Sequence, residues 1–264
     1  ILLDAKADLL VYGMGENAVR EIGRRLSAAA GSGGAADLSG IRGTARLLGA
    51  HAASALPLAG AVVLPGWEEL QADKSRLLEA TRLVEAEQSP LCGRRLVQAH
   101  GARAVVVEPP APPLTETELD ALYDLPFTRL PHPAHREPIP AYTMIRDSVT
   151  IVRGCAGGCS FCGLGLHQGK FIASRSEASI LREVAKLAAD PGFRGTVTDL
   201  GGPSANLYGC RNGVDDACRS CRRPSCLVPA LCRHFKIDET PAIGVLRRAR
   251  AVPGVRHVFV QSGI

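Results

Sequence analysis

Cys155-Ala156-Gly157-Gly158-Cys159-Ser160-Phe161-Cys162 places three thiols at C-x3-C-x2-C spacing on one short loop. Soft thiolates select zinc, Cu(I) or iron–sulfur centres over hard cations. The small residues between them let the backbone wrap tightly, because glycine reaches φ values that other residues avoid. A cubane iron–sulfur cluster takes four ligands, and this loop offers three. One iron is then open to a small molecule, which points to chemistry rather than scaffolding. A structural zinc site fits less well, since such sites are closed by four ligands, commonly in two separated pairs. A ferredoxin-type electron carrier is weakened by the missing C-x3-C-P step.

The elements around the loop must position it. Ser148-Val149-Thr150-Ile151-Val152 is a β-branched run that reads as a strand ending at the loop. A helix follows from near Ser174-Arg175-Ser176-Glu177, where Ser174 and Glu177 have capping-box spacing and Ser176 is an alternative cap. Its apolar positions Ile180, Leu181, Val184, Leu187 and Ala188 fall on one face. Strand, ligand loop and helix form the first unit of an α/β fold whose sites lie at strand C-terminal ends. Thr196 to Leu200 reads as a second strand, running into Gly201-Gly202-Pro203. Thr240-Pro241 opens a second helix carrying Ile243, Val245, Leu246 and Ala249, with proline at its first position. His257-Val258-Phe259-Val260 reads as a third strand.

A second thiol group lies between the second strand and the second helix: Cys210, Cys218, Cys221, Cys226 and Cys232. Arg219, Arg222, Arg223, Arg233 and His234 are interleaved and surround the thiols with positive charge. The group is a second candidate metal site, for zinc or iron–sulfur, with surface thiols on a loop as the plainer alternative.

Upstream, Asp8 to Tyr12 reads as a strand, followed by Gly13-Met14-Gly15-Glu16 and a helix carrying Val19, Ile22 and Leu26. Gly13-x-Gly15 is a tight turn rather than a dinucleotide fingerprint, which needs a third glycine where Ala18 stands. Gly31 to Gly34 is a flexible linker. Lys74 to Ala86 and Arg94 to His100 have helical patterns, Ala104 to Val107 is a strand, and Leu114 to Tyr123 contains a short capped helix. Half of the 18 prolines lie between Pro109 and Pro140, an extended connector. His132 and His135 sit beside prolines without a Cys or carboxylate at ligand spacing, so surface or hydrogen-bonding roles are expected. The division that follows is 1–30, an irregular 31–147, and 148–264 with a Cys-rich insert at 204–239.

Composition is that of a globular chain, 46% hydrophobic and 22% charged over 264 residues. No apolar run reaches membrane-spanning length, and no signal-peptide pattern opens the chain. Nine cysteines without a secretory signal read as metal ligands in a reducing, cytoplasmic setting. A net charge of +5 with dispersed arginines does not indicate nucleic acid.

Arg153-Gly154-Cys155-x3-Cys159-Ser160-Phe161-Cys162 resembles the cluster loop of radical S-adenosylmethionine (SAM) enzymes. The chain as a whole is similar to the YgiQ-type radical SAM proteins. The resemblance includes Leu130-Pro131-His132-Pro133, Ile139-Pro140-Ala141-Tyr142, Ser174-Arg175-Ser176-Glu177, Asp199-Leu200-Gly201-Gly202-Pro203, the later cysteines and Gln261-Ser262-Gly263. It implies a [4Fe–4S] cluster on Cys155, Cys159 and Cys162, with SAM chelating the open iron and yielding a 5′-deoxyadenosyl radical. Phe161 would lie near the adenine, and Gly201 and Gly202 would meet the methionine amino group. Pro203 stands where many relatives have Glu, which puts a carboxylate contribution in doubt. Arg153 would supply charge beside the cluster.

The resemblance also implies a reductant such as flavodoxin or ferredoxin, and leaves substrate and catalytic residues unknown. The fold class expected from it is α/β: the first three strands of a radical SAM partial (β/α) barrel. The end of a Rossmann-like, cobalamin-binding-like domain and the Pro-rich connector would precede them. No Asp-x-His-x-x-Gly signature occurs, so no bound cobalamin is expected. The spacing Cys221-x4-Cys226-x5-Cys232 is similar to the family's. The chain is expected to be a fragment truncated at both ends, poorly soluble alone. The competing reading is a zinc-bearing nucleic-acid module without catalysis, which leaves the triad loop unexplained.

Overall fold

A computed structural model describes residues 1–203, 207–213 and 216–261. The chain divides into two compact units. The first comprises 1–113, 159–170 and 214–225; the second comprises 114–158, 171–213 and 226–264. Ser262 and Gly263 of the Gln261-Ser262-Gly263 segment, and the start of the insert at 204–206, lie outside the described residues.

The first unit is built on a five-stranded mixed sheet in the order Leu10–Val11, Thr44–Leu48, Arg103–Val107, Leu96–His100, Val62–Leu64. Only the last pair, Leu96–His100 with Val62–Leu64, is parallel. Residues 44–107 are therefore not irregular, which corrects the sequence-based expectation for that stretch. The helix expected over Arg94–His100 is a strand, paired with Arg103–Val107 in a hairpin whose last register pair is His100 with Arg103. Gly101, at φ 56, supplies the turn. Seven residues are too few to hold a helix on pattern alone, and cross-strand pairing decided the outcome. The strand Leu10–Val11 sits at the sheet edge, antiparallel to Thr44–Leu48, where a Rossmann-like unit would pair in parallel. The following helix, Glu16–Ser32, runs through three alanines into the Gly31–Gly34 stretch expected to be linker and stops at Gly33, φ 69. Alanine is the best helix former, and a left-handed glycine is a common stop.

One anchor of this unit is electrostatic. The carboxylate of Glu87, almost fully buried, accepts from Arg94 at 2.6 Å and pairs with Arg222 at 2.7 Å. Arg222 also donates to the carbonyls of Ala86 and Cys92, at 3.0 and 3.3 Å. Burial alone would raise the Glu87 pKa, but the two guanidinium groups and the Arg94 N–H outweigh it and hold the carboxyl at about 2. The folded pKa is depressed, so the stabilisation is complete above the unfolded value near 4.5 and is lost as pH falls towards 2. Glu87→Gln is expected to cost about 2 kcal/mol at neutral pH. It should also flatten the acid limb between pH 4.5 and 2 in a stability–pH profile. An unchanged acid limb would refute the assignment.

The second unit carries the expected parallel strands. Ser148–Thr150 pairs in parallel with Asp199–Gly201, in register Val149 with Leu200. Thr196–Val197, just before it on the same run, pairs in parallel with His257–Val258. Bonds from Ile151 N to Gly201 O (2.8 Å) and from Leu200 N to Phe259 O (2.8 Å) extend both ladders. The run 196–201 thus lies between its two neighbours. Helices Glu177–Ala188 and Thr240–Arg250 cover the sheet, with Val149, Val197, Leu200, Ile180, Val184, Val245 and Ala249 all at or below 1% exposure in one core. Ser176 is the N-cap, its hydroxyl accepting from Ser179 N at 3.2 Å. Ser174 is used instead as an acceptor for Gly209 N.

From Leu114 onward the connector belongs to this unit. Glu116–Tyr123 is the capped helix expected, with Thr115 and Glu118 forming the box. Ser176 N donates to Asp120, and Arg182 pairs with Asp124, each at 2.9 Å. Pro140–Ile145 is a short helix rather than extended chain. His132 and His135 are exposed, and His132 Nδ1 accepts from Ala134 N at 3.2 Å. No described helix is long and apolar enough to cross a membrane.

Candidate metal centre

The loop that carries the triad leaves the first strand through a constriction. Val152 and Arg153 pair antiparallel with Ser174 and Ala173. Gly154 follows at φ 88, and a Cβ there would stand 2.0 Å from the carbonyl oxygen of Phe171. Only glycine satisfies both the left-handed backbone and the close approach. Cys155 comes next, 7% exposed, and Gly157 N points at its sulfur from 3.4 Å. An N–H aimed at a cysteine sulfur is the kind of contact that tunes thiolate centres.

Cys159 is exposed and Cys162 half-buried. Cys162 N donates to Cys159 O at 3.2 Å, a tight turn that keeps these two cysteines close along the chain. Phe161 is 90% exposed. No cysteine is in a disulfide. Three thiols on one loop, with small residues between them, are a donor set that fits a thiophilic centre. Among the described residues no three Cys, His, Asp or Glu side chains are gathered closely enough to hold a metal.

Gly201 ends the second strand and is buried. At Gly202 a Cβ would come within 2.3 Å of Val152 Cγ1 and 2.8 Å of Val152 O, with φ outside the left-handed region. The requirement at Gly202 is close approach to the base of the Cys loop, not the positive φ of a tight turn. The space at this end of the strands, lined by Ile151, Gly201, Gly202 and Tyr208 among others, is about 20 Å3, room for about one water. The Tyr208 hydroxyl within it is pushed up to about 12, chiefly by burial.

Arg175, within the capping segment, has a role that its place in the sequence does not announce. Its side chain is 1% exposed and donates to Thr150 O at 2.8 Å and Ser179 Oγ at 2.9 Å. It is also paired with Glu183 and lies 4.0 Å over the Tyr123 ring. Its own N–H donates to Ile151 O at 3.0 Å. One guanidinium therefore ties the helix Glu177–Ala188 to the strand end from which the Cys loop departs. Arg153 lies over the same ring, at 5.4 Å.

Both thiol groups cross the boundary between the units: Cys155, Cys210, Cys226 and Cys232 fall in the second, Cys159, Cys162, Cys218 and Cys221 in the first. Cys92, which the sequence reading passed over, lies beside Cys221: its thiol donates to Cys221 O at 3.6 Å. Lys170, 8% exposed, donates to Cys221 O, Cys221 Sγ and Arg223 O at 3.3, 3.4 and 2.6 Å. A lone cysteine far along the chain gives no spacing signal, so only the fold could place Cys92.

Three parallel strands with helices on them, a three-cysteine loop at the end of the first and a glycine pair at the end of the second define an α/β protein. Comparison with known proteins gives its family. A family model described as Radical SAM N-terminal matches residues 1–148. A UPF0313 protein of Geobacter sulfurreducens is 53% identical over all 264 residues of this chain, which cover 43% of that protein. A UPF0313 protein of Bacteroides thetaiotaomicron is 42% identical, over all of this chain and 44% of its own length. The UPF0313 protein YgiQ of Salmonella typhimurium is 45% identical over 77% of this chain and 28% of itself. The chain belongs to the YgiQ-type family of radical SAM proteins. It spans less than half the length of these relatives.

Proposed function

We infer that this chain carries the cluster-binding part of a radical SAM enzyme, with Cys155, Cys159 and Cys162 as the protein ligands of a [4Fe–4S] cluster. A cluster held by these residues would supply the electron that cleaves bound SAM to methionine and a 5′-deoxyadenosyl radical able to take a hydrogen atom from a substrate. The electron comes from a small reductant protein of the flavodoxin or ferredoxin class. The chain's own residues bind and orient. The triad leaves one cluster position for the amino and carboxylate groups of SAM, and Gly201 and Gly202 offer backbone to the methionine end. Phe161, exposed beside two of the ligands, is available to the adenine. The parallel strands are read as the first three of a partial barrel.

The observation that carries this reading is the placement of the Cys loop at the C-terminal end of the first parallel strand, next to the second strand's glycine pair. A zinc-bearing nucleic-acid module would use neither feature. The test is anaerobic purification with iron and sulfide analysis, and electron paramagnetic resonance with and without SAM. Brown protein whose reduced-cluster spectrum changes on adding SAM is expected. Colourless protein with stoichiometric zinc on the triad would overturn the reading.

A further inference from the structure

The insert after the second strand holds five thiols, and the fold treats them unequally. Cys210, Cys226 and Cys232 pack into one cluster with Ala156, Leu207 and Phe235, with Cys210 3% and Cys226 8% exposed. The cause is local. Arg211 and Asn212 pair antiparallel with Lys236 and Phe235, so the start and end of the insert meet. Phe235 N donates to Cys232 O at 2.9 Å, and Cys232 N to Cys226 O at 2.7 Å. These bonds wind 226–235 into a coil that returns to the ladder beside Cys210.

Asn212 adds a feature that packing alone does not require. Its Oδ1 accepts from Ile172 N at 2.8 Å, which orients the amide so that Nδ2 faces Cys226 Sγ at 3.4 Å. A buried thiol serving as a small hydrophobe has no need of such a donor; a metal-bound thiolate is tuned by one.

We propose that Cys210, Cys226 and Cys232 bind one thiophilic divalent cation, Zn2+ or Fe2+, with a non-protein fourth ligand. Binding releases the three thiol protons to solvent. The sulfurs are not at metal-holding spacing as they stand, so binding draws them together by side-chain rotation on a backbone that is already closed. Cys226 N donates to Ala156 O at 3.0 Å, so the coil that holds the ion is joined directly to the residue after Cys155.

Co2+ is the probe, used on this chain carrying Cys155→Ser, Cys159→Ser and Cys162→Ser. Anaerobic titration should show one equivalent bound, with intense thiolate-to-cobalt charge-transfer absorption. Adding Cys232→Ser, at the half-buried and least structural of the three positions, should weaken binding at least about tenfold. Adding Cys218→Ser with Cys221→Ser should leave the titration unchanged. Circular dichroism establishes that each chain is folded. Absence of the band from the folded triad-free chain overturns the proposal. So does a band lost with Cys218 and Cys221 but indifferent to Cys232. The triad is absent from every arm, so failure of the cluster reading would not alter these outcomes.

Discussion

Cys159→Ala, reconstituted anaerobically with iron and sulfide, should show no reduced-cluster signal, whereas the unaltered chain shows a full one. Two thiolates do not hold a cubane cluster that normally takes four ligands, so the loss is complete rather than graded. Cys159 is the informative member of the triad because it is exposed. Exposed substitutions away from special features usually stay within about 0.5 kcal/mol of neutral, so the fold should survive and the missing signal cannot be blamed on unfolding. Cys155, at 7% exposure, would confuse ligand loss with a packing defect. Iron and sulfide analysis beside a thermal melt separates the two. A Cys159→Ala chain with full iron content and an unaltered signal would remove this cysteine from the ligand set.

Gly154→Ala should be the most damaging single methyl group that can be added near the site. The residue sits at φ 88, and the added Cβ would lie 2.0 Å from Phe171 O and 2.9 Å from its carbonyl carbon. Backbone atoms cannot swing aside as a side-chain tip can. A non-glycine residue in such a conformation costs on the order of 1–3 kcal/mol. Overpacking adds about 1–3 kcal/mol more, so a loss of about 4 kcal/mol is expected. Gly163→Ala is the control, since nothing lies within 4 Å of its Cβ direction and its φ is −81. Comparison of denaturant melts decides the matter: equal stability of the two variants would show that the chain does not pass this constriction as described.

The parts of the fold visible in the sequence were those carried by long or strongly patterned segments. Ile180, Val184 and Leu187 mark the buried face of their helix, and β-branched runs mark the three parallel strands. Thr115 and Glu118 announce their helix by capping chemistry alone. What escaped was short and tertiary in origin. Thr44–Leu48 and Val62–Leu64 become strands because neighbours pair with them, and Leu96–His100 carries a pattern too brief to separate helix from strand. Gly202 was legible as a glycine that matters, but its reason, the approach to Val152, required coordinates. The cysteine spacing identified both thiol groups. It could not foresee that Cys210, Cys226 and Cys232 share one cluster, because the folded segments rather than the spacing decide which thiols become neighbours.

The ladder that joins Arg211–Asn212 to Phe235–Lys236 has a further consequence, for what the chain can accommodate. Because the insert is closed at its base, its ends keep the same separation whatever lies between them. Lengthening a loop whose ends are already fixed is inexpensive, each doubling adding only about 0.6 kcal/mol of closure entropy. Arg219 and Ser220 are exposed, so a reporter peptide grafted between them should leave this ladder in register. The same graft between Asn212 and Gly213 would fail, because a Cβ at Gly213 already stands 2.7 Å from His234 O. Length can vary at the tip of this excursion, while its base is fixed to the residue.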